Sequence, residues 1–418
     1  MLTQSFCYQD DVFCCNGTPL TDLAERTGTP CYIYSGDAIV NNYRAYSRTL
    51  ENLDHEIRYS VKANSTLGIL SLLAREGAGF DIVSGGELFR VVHSGGDPSK
   101  VVFSGVGKTL SEIEYALKCG VEMFNCESEP EANTLAVAAQ KLDKRPCIGF
   151  RVNPDINAET HPYVATGMRE HKFGIPIKEA EQIYKRFAGN DHLNLAGISC
   201  HIGSQIFGSG PFLEALDAVT ALAERLRQVD ISISSVDLGG GLAVAYQDAE
   251  TAPSIEKFLG QLAEKLRGKN LHLILEPGRS IVGPAGVLLT KVLYRKRSAG
   301  KEFIIVDAAM NDLLRPSLYD SYHEIVPLVR SRRPKIVADV VGPICETGDF
   351  LARRREIEDS KPGEVLAVCT AGAYGFALAS NYNTRPRPPE VLVQGSNFKI
   401  IRERETYGDL IRGESVWP

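Results

Sequence analysis

Eight short apolar runs lie between Asp37 and Arg279, most of them about 20–25 residues apart: EIRYSVKAN, GFDIVSGGE, VVFSGVGK, MFNCESEPE, CIGFRVNP, LAGISCHIGSQ, SSVDLGGG and HLILEPGRS. Few folds accommodate that recurrence. Parallel strands need long crossovers, and eight successive strand–helix units fit a (β/α)8 barrel of the TIM-like kind. The stretches between the runs have helical spacing. Ser84–Ser94, for example, sets Leu88, Val91 and Val92 on one face. The largest irregularity falls between Arg151 and Lys172, a polar, aperiodic stretch that reads as a long loop after the fifth strand. Its 155–172 portion is a candidate lid.

After Arg279 the pattern changes. GPAGVLLTKVLYRKR, KEFIIVDAAM, KIVADVVGPIC, GEVLAVCTAGAY and EVLVQGSNFKIIRERE are β-rich and separated by turn residues, without long helical periods. They predict a mainly antiparallel β domain. TPCYIYS near the N-terminus is also strand-like. The expected division is therefore a barrel over 37–280 and a β domain built from 1–36 and 281–418. A chain of 418 residues is long enough for two cores. Its net charge of −6, with no basic tract, argues against nucleic acid as a partner. The N-terminus lacks the basic and apolar regions of a secretory signal, and no apolar run is long enough to cross a bilayer. The ten cysteines show no repeated C-x-x-C, so neither a metal site nor a disulfide framework is expected, and a reducing cytoplasm is.

Polar and glycine residues cluster where barrel strands end. Lys62 ends the first run, Asp81 lies in the second, Arg151 closes the fifth and His201 the sixth. Gly239–Gly241 end the seventh and Glu276–Arg279 the eighth. Barrel enzymes carry their chemistry on that face, and the loops after strands seven and eight commonly hold phosphate. Each element has a plainer reading alone: glycines make tight turns, a strand-end lysine is solvated, a histidine packs, a glutamate caps a loop. Together, a phosphate cradle and a lysine able to attack a carbonyl form the binding signature of pyridoxal phosphate. A carboxylate beside the ring nitrogen would then keep the ring an effective electron sink, a role suited to Glu276.

At this point YSVKAN, FDIVSGGE, CHIGSQ, DLGGGLAV and EPGRSIVGPAG, in this order, resemble the fold-type III pyridoxal-phosphate decarboxylases. That family includes enzymes acting on diaminopimelate, ornithine and arginine. HPYVATGMREHKFGI, DAAMNDLLRPSLYDSYHEI, GPICETGDFLA and GAYGFALASNYN are similar to the diaminopimelate branch, and the resemblance covers nearly the whole chain. It implies an alanine-racemase-like pairing of barrel and β domain, with pyridoxal 5'-phosphate as cofactor. Lys62 is implied to hold the cofactor as an imine. Ser204, Gly240, Gly241, Glu276, Pro277, Gly278 and Arg279 are implied to hold its phosphate and ring, with His201 facing the ring and Tyr374 touching the cofactor from the C-terminal domain. Arg279, Arg315 and Tyr319 are implied to take the substrate's distal carboxylate, with Tyr374 beside the substrate. Glu346 is implied to take the distal amino group, and Cys345 to donate the proton. The last two are implied to come from a second subunit of a homodimer. The implied reaction converts meso-2,6-diaminopimelate to L-lysine and CO2, the last step of lysine biosynthesis.

Local physics bears on these assignments. Pro316 is expected to hold Arg315 extended and to start a helix, so that Arg315 and Tyr319 share the side of its first turn. Arginines suit a carboxylate because the guanidinium fork matches its geometry. An ornithine- or arginine-type decarboxylase would leave such a pocket without a use. An amino-acid racemase would need an arginine at the ring nitrogen. A non-catalytic cofactor-binding regulator would be expected to have lost Lys62 or Cys345.

Overall fold

Each of the eight apolar runs forms a parallel strand: His55–Ser60, Gly79–Ile82, Val101–Phe103, Met123–Cys126, Cys147–Asn153, Asn194–Ser199, Ser235–Asp237 and His272–Leu275. Neighbours pair in sequence order, and the last pairs with the first, Leu273 opposite His55. The sheet therefore closes into a (β/α)8 barrel with no free edge. The structure is a computed structural model and describes residues 3, 5–156, 172–247 and 250–418. Of the candidate lid at 155–172, positions 157–171 lie outside the described residues.

A helix follows every strand, and local chemistry sets where several begin. Ser84, Ser128 and Ser254 each accept a backbone N–H of the first turn through the side chain, and Thr109 with Glu112 forms a reciprocal capping box. The helix expected from Ser84–Ser94 spans Gly85–His93 and buries Leu88 and Val91. Val92 differs from expectation and is 41% exposed. It lies four residues beyond Leu88 but one beyond Val91, and the 100° step carries it off a narrow buried stripe. No helix among the described residues is long and apolar enough to cross a membrane.

The chain divides into two compact units, Val40–Val244 with Ala252–Ser280, and Met1–Ile39 with Ala245–Thr251 and Ile281–Pro418. The short excursion at 245–251 leaves the barrel sequence and joins the β unit, which a contiguous 37–280 barrel does not foresee. Tyr246 provides the attachment. Its hydroxyl lies 2.6 Å from Arg315 Nη1, the guanidinium carbon is 4.7 Å from the ring centroid, and His323 packs edge-on against the same ring.

In the β unit the long strand Gly286–Ser298 pairs antiparallel with Lys301–Val306, Val365–Val368 and Cys31–Ser35. Cys31–Ser35 is buried throughout and pairs on its other side, in parallel, with Glu390–Val393. Phe13, Leu23, Ile33, Leu289, Val391 and Val393 belong to the cluster packed about these strands. The strand Phe350–Glu358, antiparallel to Lys335–Val341, has no counterpart among the expected runs. Its sequence FLARRREIE is dominated by charge, and its middle is exposed.

Candidate active site

The first barrel strand ends at Ser60, and the chain tightens into a single 3-10 turn, Val61–Ala63, that carries Lys62. Lys62 Nζ is ion-paired with Asp81 Oδ2 on the second strand and lies 3.3 Å from Ser60 Oγ. Ser60 Oγ is also 2.8 Å from Asp81 Oδ2 and 2.9 Å from the carbonyl oxygen of Glu276. One hydroxyl thus ties together the ends of the first, second and eighth strands. Asp81 is fully buried, and a buried carboxylate is costly without a cation. The ion pair stabilises Asp81 and fixes the position of the amine.

Glu276 follows the eighth strand and is 7% exposed. Burial, together with the carboxylates of Asp237 and Asp81, holds its carboxyl well above the ordinary range, opposed by Lys62. Asp237 ends the seventh strand and accepts from Gly239 N at 2.9 Å and from Asn125 Nδ2 at 2.8 Å. Among the described residues Glu276 Oε1 accepts no hydrogen bond, nor does the second oxygen of Asp81. Buried oxygens of this kind call for a partner, and the protonated nitrogen of a pyridine ring is a donor that Glu276 could accept from. The residues present therefore fit pyridoxal phosphate.

The raised Glu276 value has a stability consequence. A folded-state pKa above the unfolded one favours the fold while the group is protonated. That contribution is lost as pH rises from the unfolded value through the folded one. In cofactor-free protein, Glu276→Gln, which cannot ionise, is expected to flatten this decline. Its Tm should exceed that of the parent at pH 8 by about 2–4 °C and by less at pH 5. Scanning calorimetry at the two pH values checks this, and an equal shift at both would disprove it.

His201 lies two residues beyond the sixth strand. Burial, then the positive charges of Arg151 and Lys62, push its pKa well below the ordinary value, so the ring is neutral at pH 7. Its Nδ1 accepts from Gly240 N at 3.3 Å, which assigns the ring proton to Nε2. Arg151 is itself anchored, its Nη1 2.9 Å from Glu127 Oε1. The glycines of the seventh-strand loop are there because loops crowd together. A Cβ on Gly240 would come within 2.3 Å of the Glu276 carbonyl, and one on Gly241, at φ +120°, within 2.4 Å of the Gly203 carbonyl. Pro277 and Gly278 are buried beside them, and Arg279 starts a four-residue helix. Arg279 Nε and Nη2 reach Ser204 Oγ at 3.3 and 3.0 Å. Lys62, His201, Ser204, Gly240, Gly241 and Glu276–Arg279 thus all occupy the C-terminal face of the barrel, linked by these contacts. Asp237 and Asn125 belong to the same network and were given no role from sequence. The signal was a carboxylate two residues before three glycines at a strand end.

The remaining candidates belong to the β unit. Arg315 is 5% exposed. It is the first residue of the helix Arg315–Tyr319, with Pro316 second. The expected extended conformation at Arg315 is therefore corrected: the helix starts one residue before the proline, whose missing N–H costs nothing in a first turn. Arg315 Nη2 lies 3.3 Å from Ser321 Oγ, in addition to its contact with Tyr246. Tyr319 is half-buried, four residues further on. Tyr374 is half-buried in a turn at φ +54°. Cys345, alone among the ten cysteines, is exposed, and Glu346 is exposed beside it.

Residues 36–283 match the family model of the pyridoxal-dependent decarboxylase, pyridoxal binding domain. A diaminopimelate decarboxylase of Pseudomonas aeruginosa is 50% identical over 418 residues, covering 99% of each chain. The crystal structure of diaminopimelate decarboxylase from Helicobacter pylori complexed with L-lysine superposes with a TM-score of 0.90 at 39% identity, over 94% of this chain and 98% of that one. The M. jannaschii diaminopimelate decarboxylase in complex with L-lysine gives a TM-score of 0.94 at 35% identity, over 100% and 99% of the two chains. Similar over almost its whole length to such relatives, and with a barrel mouth that holds Lys62 and a buried glutamate whose Oε1 accepts no hydrogen bond among the described residues, this chain belongs to the diaminopimelate decarboxylases among the pyridoxal-dependent decarboxylases.

Proposed function

We propose that the chain converts meso-2,6-diaminopimelate to L-lysine and CO2 with pyridoxal 5'-phosphate, the closing step of lysine biosynthesis, in the cytoplasm. Glu276 carries the reading. Its buried oxygen without a hydrogen bond suits a pyridinium nitrogen, and it stands in the mouth of a barrel shared with two relatives solved with L-lysine bound. A carboxyl here, rather than an arginine, favours decarboxylation over racemisation.

Bound at this site, the cofactor supplies an electron sink for the pair left on the α-carbon as CO2 departs. Lys62, its amine placed by Asp81 and Ser60, would hold the cofactor through Nζ and would supply the amine that frees the product. Ser204, Gly240, Gly241, Gly278 and Arg279 suit its phosphate through N–H and hydroxyl donors and positive charge. Glu276, next to Pro277, holds the ring nitrogen's proton. Neutral His201 faces the ring without adding a charge that would compete for electrons. Tyr374 contacts cofactor and substrate. Arg279, Arg315 and Tyr319 take the distal carboxylate and Glu346 the distal ammonium, which leaves the D-configured centre to react. Cys345 returns a proton to the α-carbon. Cys345 and Glu346 are proposed to act in the site of a second copy, making a homodimer the active unit.

A side-by-side assay of CO2 release tests the substrate. Turnover of meso-diaminopimelate is expected to exceed that of ornithine by on the order of 10⁴-fold in kcat/KM. A site built for a charged group rejects a ligand that leaves it unpaired. Faster turnover of ornithine would overturn the distal-carboxylate role of Arg315 and Tyr319.

A further inference from the structure

Cys345 and Glu346 sit side by side on an exposed turn, and a second adjacent pair, Tyr382 and Asn383, grips them. The amide N–H of Cys345 donates to Asn383 Oδ1 at 2.9 Å, and the phenol of Tyr382 donates to Glu346 Oε2 at 2.7 Å. Tyr382 and Asn383 open the short turn Tyr382–Thr384, in which Asn383 is left-handed at φ 53° and ψ 27°. Asparagine tolerates that conformation better than most residues.

The backbone of the Cys345 turn is held independently of Tyr382. Asp349 is buried and accepts from Ile344 N at 2.7 Å and from Met310 N at 2.8 Å. Ser317 donates to the Gly348 carbonyl at 2.6 Å. With the backbone fixed from below by Asp349 and at Cys345 by Asn383, what Tyr382 adds is control of a side chain. An exposed glutamate has several torsions and samples many rotamers. A hydrogen bond between two exposed groups contributes little to folding, so stability does not account for this one. It does place one carboxylate oxygen and leave the other open to a ligand.

We propose that Tyr382 is a specificity-determining residue: its phenol holds Glu346 in the rotamer that receives the ammonium group at the distal end of the substrate. The inference rests on the role given to Glu346 above. It concerns the chemistry of an α-amino acid end, where ammonium and carboxylate must be met together. Tyr382 acts on the ammonium alone, whereas Arg315 and Tyr319 serve the carboxylate.

Calorimetric titration of the cofactor-loaded protein tests this without turnover. The probes are L-lysine, which retains both distal groups, and 6-aminohexanoate, which is lysine without its α-ammonium. The parent is expected to prefer L-lysine. Tyr382→Phe is expected to shrink that preference roughly five- to tenfold, the scale of one ordinary net hydrogen bond. It should leave 6-aminohexanoate affinity in place. In turnover the loss should fall on KM for meso-diaminopimelate more than on kcat, because the Asn383 contact to Cys345 remains. Glu346→Gln separates the two levels of the argument. If the parent prefers L-lysine and Glu346→Gln abolishes the preference while Tyr382→Phe keeps it, the role of Tyr382 is overturned and that of Glu346 stands. If Tyr382→Phe weakens both ligands equally, Tyr382 is structural and the inference is again overturned. If the parent shows no preference, the role of Glu346 falls, and this inference with it.

Discussion

Lys62→Ala is expected to remove the visible absorbance that pyridoxal phosphate shows when joined to a lysine amine, and to lower turnover by at least a thousandfold, the order of loss seen when a nucleophile is deleted. The amine is held by Asp81 and Ser60 at the mouth of the barrel, and among the described residues no other lysine shares those contacts. Alanine would also leave Asp81 buried without its cation, so lost stability could be confused with lost chemistry. Lys62→Arg separates them. A guanidinium keeps a positive charge for Asp81 but stays protonated and does not attack a carbonyl. The arginine variant is expected to recover most of the parent's Tm while showing neither the band nor turnover. A visible band in either variant would move the cofactor linkage to another residue.

The second large effect is expected at Cys345. Its thiol is exposed, so Cys345→Ala removes no packing and should fold and bind cofactor like the parent. If the thiol is the acid that reprotonates the α-carbon, kcat should fall about 10²–10⁴-fold, the range of a positioned general acid. The visible spectrum should be unchanged. An unaltered kcat would remove Cys345 from the reaction. The same substitution leaves the amide that donates to Asn383, so the turn and Glu346 should keep their geometry.

The barrel was readable because its signal repeats. Each parallel strand is covered on both faces, so runs such as VVF at Val101–Phe103 are buried throughout, and turn chemistry marks their ends. The site was readable where a residue type was out of place at such an end, as with Lys62 and Glu276. Other features left weaker traces. Phe350–Glu358 is a strand whose middle faces solvent, so FLARRREIE shows charge rather than alternation. The step at 245–251 rests on Tyr246 meeting Arg315, sixty-nine residues away, and no local pattern announces such a contact. The links from Asp237 to Asn125 and from Tyr382 to Glu346 also join residues far apart in sequence, by 112 and 36 positions. Their partners become neighbours only after the chain has folded.

The strand Cys31–Ser35 has a history as well as a place. It is made early, yet it pairs with Gly286–Leu289 on one side and Glu390–Val393 on the other. At a ribosome adding about 5–20 residues per second, its first partner emerges on the order of ten to fifty seconds later. All eight barrel strands are complete before then. For that interval a five-residue strand, buried at every position in the finished protein, has both edges open. The protein should therefore be most prone to aggregate during synthesis, and a nascent chain halted before Gly286 should depend on chaperones more than the finished one.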